Sequence, residues 1–332
     1  MSADSSEPMK ASEILYLSRE DVERVGLPME DIVTAVEAMF VEKAAGRTQM
    51  PPKPGVHPTR DGFIHAMPAY VPAASAAGLK WVAAYPENKE KGLPYVSGLI
   101  VMNDPSTGLP RAVMDCAWIT AMRTGAATAV AARHLARPDS STVGIVACGV
   151  QGRSNLEALA CVMDIARVHA YDHRPTNSER YAREMRESLG LDVRPVERLE
   201  EAVRDMDVVV TSGPILKEPD PPIPAGWLSR GAFACTLDFD SYWSGAALAQ
   251  SDRLVSDDVE QLDYYRTLGY FRNTPSGIVE LADVVTGTVV GREHHEARII
   301  SVHLGLALED VVTATRVVDR ALAQGIGTRL PM

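Results

Sequence analysis

Apolar and polar positions follow two different rhythms along these 332 residues. Up to about residue 120 the apolar pieces are short and extended, at 62–66, 78–84 and 96–102, with one helix-like segment at 29–45. Turn-forming residues separate them: Pro51-Pro52-Lys53-Pro54, Gly92-Leu93-Pro94 and Asp104-Pro105-Ser106-Thr107-Gly108. That pattern predicts a mostly antiparallel sheet with few helices. From about residue 123 the rhythm changes. An alanine-rich helix is expected over 124–135, its small residues suited to close packing. Strand and helix patterns then alternate: strands at 143–146, 168–171, 208–211, 232–237 and 253–255, helical stretches at 155–165 and 199–204. Alternation of this kind predicts an α/β fold with a doubly wound parallel sheet. An amphipathic helix over 308–324, ended by Gly325, closes the pattern.

The most informative stretch within the alternation is 143–172, VGIVACGVQGRSNLEALACVMDIARVHAYD. A strand runs into a turn holding Gly149 and Gly152, a helical pattern follows, and a second strand ends at Asp172, 20 residues past Gly152. A dinucleotide site needs each of these parts. Glycine lets backbone approach the pyrophosphate, the helix offers unpaired N–H groups, and a strand-end carboxylate accepts the ribose hydroxyls. Ala147 stands where the first glycine of G-x-G-x-x-G belongs. Asp172 favours NAD, whereas His173 and Arg174 directly after it keep NADP open. At the end of the 208–211 strand, Thr211 and Ser212 are expected to face the cofactor.

Composition narrows the setting. A net charge of −11 leaves no basic excess for nucleic-acid binding. Cys116, Cys148, Cys161 and Cys235 show neither C-x-x-C pairing nor metal-ligand spacing, so no metal is expected and buried thiols in a reducing compartment, the cytoplasm, are. No apolar run is long enough for a membrane span. The first 13 residues have no apolar signal-like core and are expected to form a disordered lead-in.

Candidate chemistry lies in both regions. Lys53, Lys80 and Arg123, with His65 between them, suggest a small carboxylate pocket. Lys80 lies in the apolar run Gly78-Leu79-Lys80-Trp81-Val82 and needs a partner if buried. Arg123 is expected to open the alanine-rich helix, against the macrodipole preference. Asp238 and Asp240 follow an apolar strand, and at most one of the two is expected to face a given pocket, where it could relay a proton. His294-His295 reads as a solvated loop.

The octapeptide Met122-Arg123-Thr124-Gly125-Ala126-Ala127-Thr128-Ala129 resembles the R-T-[GA]-A-x-[TS]-A signature of the ornithine cyclodeaminase/μ-crystallin family. Further matches are His65-Ala66-Met67-Pro68-Ala69, Gly78-Leu79-Lys80, Gly92-Leu93-Pro94, Gly149-Val150-Gln151 and Gly305-Leu306-Ala307-Leu308-Glu309-Asp310. The family's own glycine turn resembles G-x-G-x-Q, which Gly149 and Gln151 satisfy. The resemblance implies a Rossmann domain over 123–310 and a substrate-binding, dimerising α/β domain from 1–122 with 311–332. It implies a homodimer, NAD or NADP, and a small amino-acid or imino-acid substrate. Lys80 and Arg123, with Lys53, take the substrate carboxylate by this resemblance, and Asp240 takes the place of the catalytic aspartate of the family's G-x-D-x-P-G-K loop. Here Ser241-Tyr242-Trp243-Ser244 replaces the x-P-G-K portion. Ornithine cyclodeaminases carry a glutamate where this chain has His65, threonine is common at Tyr95, and serine is frequent at His303. An imidazole is a poor partner for a second ammonium.

Three readings follow. The first is an NAD(P)-dependent amino-acid dehydrogenase or imine reductase, with hydride exchanged at the substrate α-carbon. In it Lys80 and Asp240 are catalytic, and Lys53, His65, Tyr95, Arg123 and His303 shape the substrate site. The second is an ornithine-cyclodeaminase-type ammonia lyase with catalytic NAD. The third is a non-catalytic ligand-binding protein of the μ-crystallin type.

Overall fold

The computed structural model describes residues 12–332, so residues 1–11 of the expected lead-in lie outside the described residues, while Glu13, at its end, already belongs to a strand. The chain divides into two compact units, 1–123 with 306–332, and 124–305.

The first unit is built on a seven-stranded sheet. Its strands are β1 (Glu13–Leu17), β2 (Gly55–Val56), β3 (Phe63–Val71), β4 (Ala76–Ala84), β5 (Val96–Asn103) and β6 (Pro110–Asp115). From β2 to β6 neighbours pair antiparallel in sequence order, β1 joins β6 in parallel, and the C-terminal strand Thr328–Pro331 pairs antiparallel with β1. Helices Met29–Ala44 and Ala307–Gln324 pack against each other, and the second lies on β3 and β4. Residues of β3 alternate between buried and half-buried with the period of two that one covered face dictates. On β4 the buried row is Ala76, Lys80, Val82 and Ala84, while Trp81 faces outward. Leu99 of β5 lies directly opposite Trp81 and is exposed with it.

The second unit is an eight-stranded sheet paired in parallel throughout. Its strands are β7 (Thr142–Val146), β8 (Arg167–Tyr171), β9 (Val193–Pro195), β10 (Val208–Thr211), β11 (Phe233–Thr236), β12 (Arg253–Ser256), β13 (Val279–Glu280) and β14 (Ile299–Val302). The spatial order is β13-β12-β14-β11-β10-β7-β8-β9. Chain order runs outward from β7 through β8 to β9 on one side, then restarts with β10 on the other. That reversal is the topological switch point of a Rossmann-type sheet, and ligands of such sheets bind beyond the strand ends there. Strands β10, β11 and β14 are buried at every residue, as covered parallel strands must be.

Three expected elements are corrected. The alanine-rich helix starts at Ala117, not 124, so Arg123 is its seventh residue and no dipole anomaly exists. The helix after the glycine turn is Val150–Ala160, five residues earlier than the expected 155–165. Gly152 looks like turn sequence but lies inside the helix's first turn. The stretch expected helical over 199–204 is a single 3₁₀ turn, Leu199–Ala202.

Candidate functional site

Each unit carries one set of candidate residues. In the second unit they gather at the switch point. Strand β7 leads into Ala147, whose φ of 73° is the left-handed conformation that glycine adopts freely. Gly149 is the N-cap of Val150–Ala160, with an extended φ of −86°. A Cβ built on Gly149 meets nothing within 4 Å, whereas one on Gly152 would lie 2.7 Å from the Ala147 carbonyl oxygen. Gly152 is therefore required by close packing inside the turn. Gly149 is required by neither packing nor backbone angle, and the space before it suits an outside group. Val150, the first helical residue, is mostly exposed, and Gln151 is half-buried.

Asp172, at the end of β8, is buried, and its carboxylate accepts from the Cys148 N–H at 3.0 Å, the Arg174 N–H at 3.0 Å and Asn177 Nδ2 at 3.0 Å. It thus ties the glycine turn to the second strand. His173 lies beside it, Nδ1 at 3.3 Å, and the side chains of His173 and Arg174 point to solvent. Ser212 donates its hydroxyl to the Ala147 carbonyl at 3.1 Å, so β10 also reaches this turn. Thr211 does not serve as expected. Its side chain is fully buried, donating to Asp238 and accepting from Trp243 Nε1, both at 3.2 Å.

The two aspartates after β11 separate clearly. Asp238 is fully buried and accepts from Thr211 Oγ1 and the Gly213 N–H, and burial pushes its carboxyl up to about 7. Asp240 is also buried, in a loop next to positive-φ backbone. Phe239 before it has φ of 59°, and Phe271, whose N–H faces its carboxylate, has φ of 53°. Burial raises the Asp240 carboxyl above its ordinary value as well. His303, after β14, is buried with Nε2 at 2.9 Å from Ser301 Oγ. Tyr242, in the loop portion that departs from the family pattern, rests its ring on Gly213, where a Cβ would lie 2.1 Å from a ring carbon.

In the first unit the candidate cations are buried. Lys80 is 1% exposed and Arg123 6%. Two carboxylates that residue-by-residue reading did not single out as partners meet them: Lys80 Nζ lies 2.6 Å from Asp310 Oδ2, Arg123 Nη1 lies 2.5 Å from Glu309 Oε2, and Arg123 Nε lies 2.9 Å from Asp310 Oδ1. Glu309 and Asp310 are 0% exposed. The signal for them was present, since Glu309-Asp310 stood within a family match, but no local pattern links it to Lys80. Lys53 and His65 are buried too. His65 stacks on Phe63 with centroids 4.1 Å apart, and its ring meets that of His57 edge-on at 5.9 Å. Burial, together with Lys53, His57 and Lys80, pushes His65 down to about 3, so its imidazole is neutral at physiological pH. Tyr95 is half-buried, and burial raises its phenol.

The family model of the ornithine cyclodeaminase/mu-crystallin family matches residues 13–325. A nodulation efficiency protein, NfeD, of Rhizobium meliloti is 36% identical over 317 residues, 95% of this chain and 98% of that one. The structure of Thermococcus litoralis Delta(1)-pyrroline-2-carboxylate reductase, in complex with NADH and L-proline, superposes with a TM-score of 0.86 at 34% identity, covering 95% of this chain and 99% of the other. An archaeal alanine dehydrogenase dimer with bound NAD gives 0.85 at 34% identity, covering 96% and 99%.

Proposed function

We propose that this chain, which belongs to the ornithine cyclodeaminase/mu-crystallin family, is an NAD-dependent oxidoreductase of small amino or imino acids, working as an amino-acid dehydrogenase or imine reductase. The observation that carries the reading is Gly149, a glycine that neither its backbone angle nor its packing requires, standing at a helix N-terminus in the turn tied to Asp172. Relatives with NADH, NAD and L-proline bound support it.

Gly149, Val150 and Gln151 would hold the pyrophosphate through backbone N–H groups, with Ser212 beside them. Asp172 would accept the ribose hydroxyls, and its charge would repel a 2′-phosphate, which favours NAD over NADP despite Arg174 nearby. When bound, the nicotinamide exchanges a hydride. Lys80 and Arg123, with Lys53, would orient the substrate carboxylate. Asp240, its carboxyl raised by burial, holds a proton to higher pH than a free aspartate and would pass it to or from the substrate nitrogen. Positive φ at Phe239, directly before Asp240, and at Phe271, whose N–H faces the Asp240 carboxylate, supports a functional role for Asp240. His303 and Tyr95 would each take part in substrate recognition.

The neutral His65, with Lys53 and Lys80 near it, disfavours a substrate carrying a second ammonium, and so disfavours the cyclodeaminase reading. The test uses purified protein with NADH, offered cyclic imines and, separately, 2-oxo acids with ammonium. Sustained loss of nicotinamide absorbance is expected. Ammonia release from a diamino acid without net absorbance change would transfer the protein to the cyclodeaminases. Tight ligand binding with neither signal would leave a binding protein.

The reading includes a homodimer in the cytoplasm. The exposed pair Trp81–Leu99 on the first unit's sheet supports self-association, and four cysteines without a disulfide support a reducing compartment. Among the described residues no helix is long and apolar enough to cross a membrane. Sedimentation at the 35.9 kDa monomer mass would remove the dimer, and recovery outside the cytoplasm on cell fractionation would remove the compartment.

A further inference from the structure

The Ala307–Gln324 helix carries Glu309 and Asp310 in its first turn, where the helix dipole favours anions, and sends both into the interior of the first unit. The reading above gives Lys80 and Arg123 work and leaves these two anions unexplained. Stability does not account for them. An apolar quartet of similar volume is often as stable as buried ion pairs, or more so, because burying four charges carries a desolvation cost.

The two acids divide the two cations between them. Asp310 divides its two oxygens, Oδ2 to Lys80 Nζ and Oδ1 to Arg123 Nε. Glu309 takes Arg123 Nη1 with Oε2, and the Leu306 N–H donates to that same oxygen at 3.3 Å. Glu309 holds the guanidinium by a hydrogen bond at Nη1, and Asp310 pairs as an ion with Arg123 Nε at 2.9 Å and with Lys80 Nζ at 2.6 Å, which limits where the two cations can sit. We propose that Glu309 and Asp310 are positioning residues of the carboxylate site, which aim Arg123 and Lys80 at the substrate carboxylate. This rests on the function proposed above. The two anions offset the charges of Lys80 and Arg123, so these two cations act on the carboxylate through where they are held.

The groups that act on Lys80 are Asp310 and Arg123, with the Cys116 thiol and the His65 imidazole on neighbouring strand and turn. Burial lowers the hold of Lys80 on its proton, Asp310 opposes this, and Arg123 adds to it. Removing the Asp310 charge therefore releases that proton at lower pH.

The experiment measures steady-state reduction of 1-pyrroline-2-carboxylate by NADH across pH for wild type, Asp310→Asn, Asp310→Glu and Glu309→Gln, with thermal melting of each. Asp310→Asn is expected to raise KM for the imino acid at least tenfold, with a smaller fall in kcat and an unchanged KM for NADH. Its alkaline limb of kcat/KM should move down by a pH unit or more. Asp310→Glu, which keeps the charge on a longer arm, should raise KM with the limb restored, and Glu309→Gln should raise KM with the limb unmoved. A purely structural pair would lower the melting temperature and leave KM and limb at wild-type values, which overturns the proposal. Should Asp310→Asn not fold, wild-type KM in the other two variants overturns it equally. A wild type that reduces no imino acid defeats the proposed function instead, so the two failures remain distinct.

Discussion

Lys80 has the environment least expected of its residue type, and His65 has the next. A lysine within the apolar run 78–82 needs a partner if buried, and that much was readable from the run alone. Its direction was not. Leu79 and Trp81 flank it as if they formed the inward row, yet Trp81 faces outward and Lys80 sits on the covered face. The partner was unreadable for a different reason, because Asp310 lies 230 residues along the chain and only the packed helix brings it near. His65 yields a pH prediction. Its imidazole is held to about 3 in the folded protein against 6.5 ordinarily, so the unfolded chain takes up a proton that the folded state refuses. The stability it supports is present above 6.5 and is lost as pH falls toward 3. Between pH 7 and pH 4.5 the wild type should lose about 2 kcal/mol more than His65→Gln in urea unfolding. Equal losses in the two proteins would show that His65 is not held neutral.

The strand–turn–helix from β7 to the end of the Val150–Ala160 helix shows what local sequence can and cannot give. The strands of the second unit were readable because covered parallel strands are continuous apolar runs, and Val208–Thr211 was delimited to the residue. Helix starts were not. Gly149 and Gly152 look like one long turn, while the backbone enters the helix between them. At Ala117 the apolar Cys116-Ala117-Trp118-Ile119 reads as more strand, and the only stop signal is Asp115, which accepts the Ala117 N–H at 2.8 Å. Ala147 shows a misfit in the fingerprint carried into the backbone, since a position suited to glycine holds alanine at positive φ. A left-handed alanine costs about 1–2 kcal/mol, part of which glycine returns through its greater freedom when unfolded. Ala147→Gly should therefore raise stability by about 0.5–1 kcal/mol, read as a higher Tm with NADH affinity retained. A lower Tm would mean that the Ala147 methyl packs favourably enough to outweigh the strain.

At the scale of the whole molecule, the chain divides into two units, and its last 27 residues belong to the first rather than the second. The amphipathic terminal helix and its Gly325 stop were readable in sequence; that the helix supplies the carboxylates paired with Lys80 and Arg123 was not. The central claim is a net transfer of hydride between the nicotinamide and a substrate α-carbon. NADH bearing deuterium at both C4 positions, incubated with the protein and 1-pyrroline-2-carboxylate, tests it directly by mass spectrometry and NMR of the product. One deuterium at the α-carbon of proline, with one NAD formed for each proline, is the predicted result. Proline without deuterium, or proline formed only from ornithine with ammonia released and no NADH consumed, would contradict it.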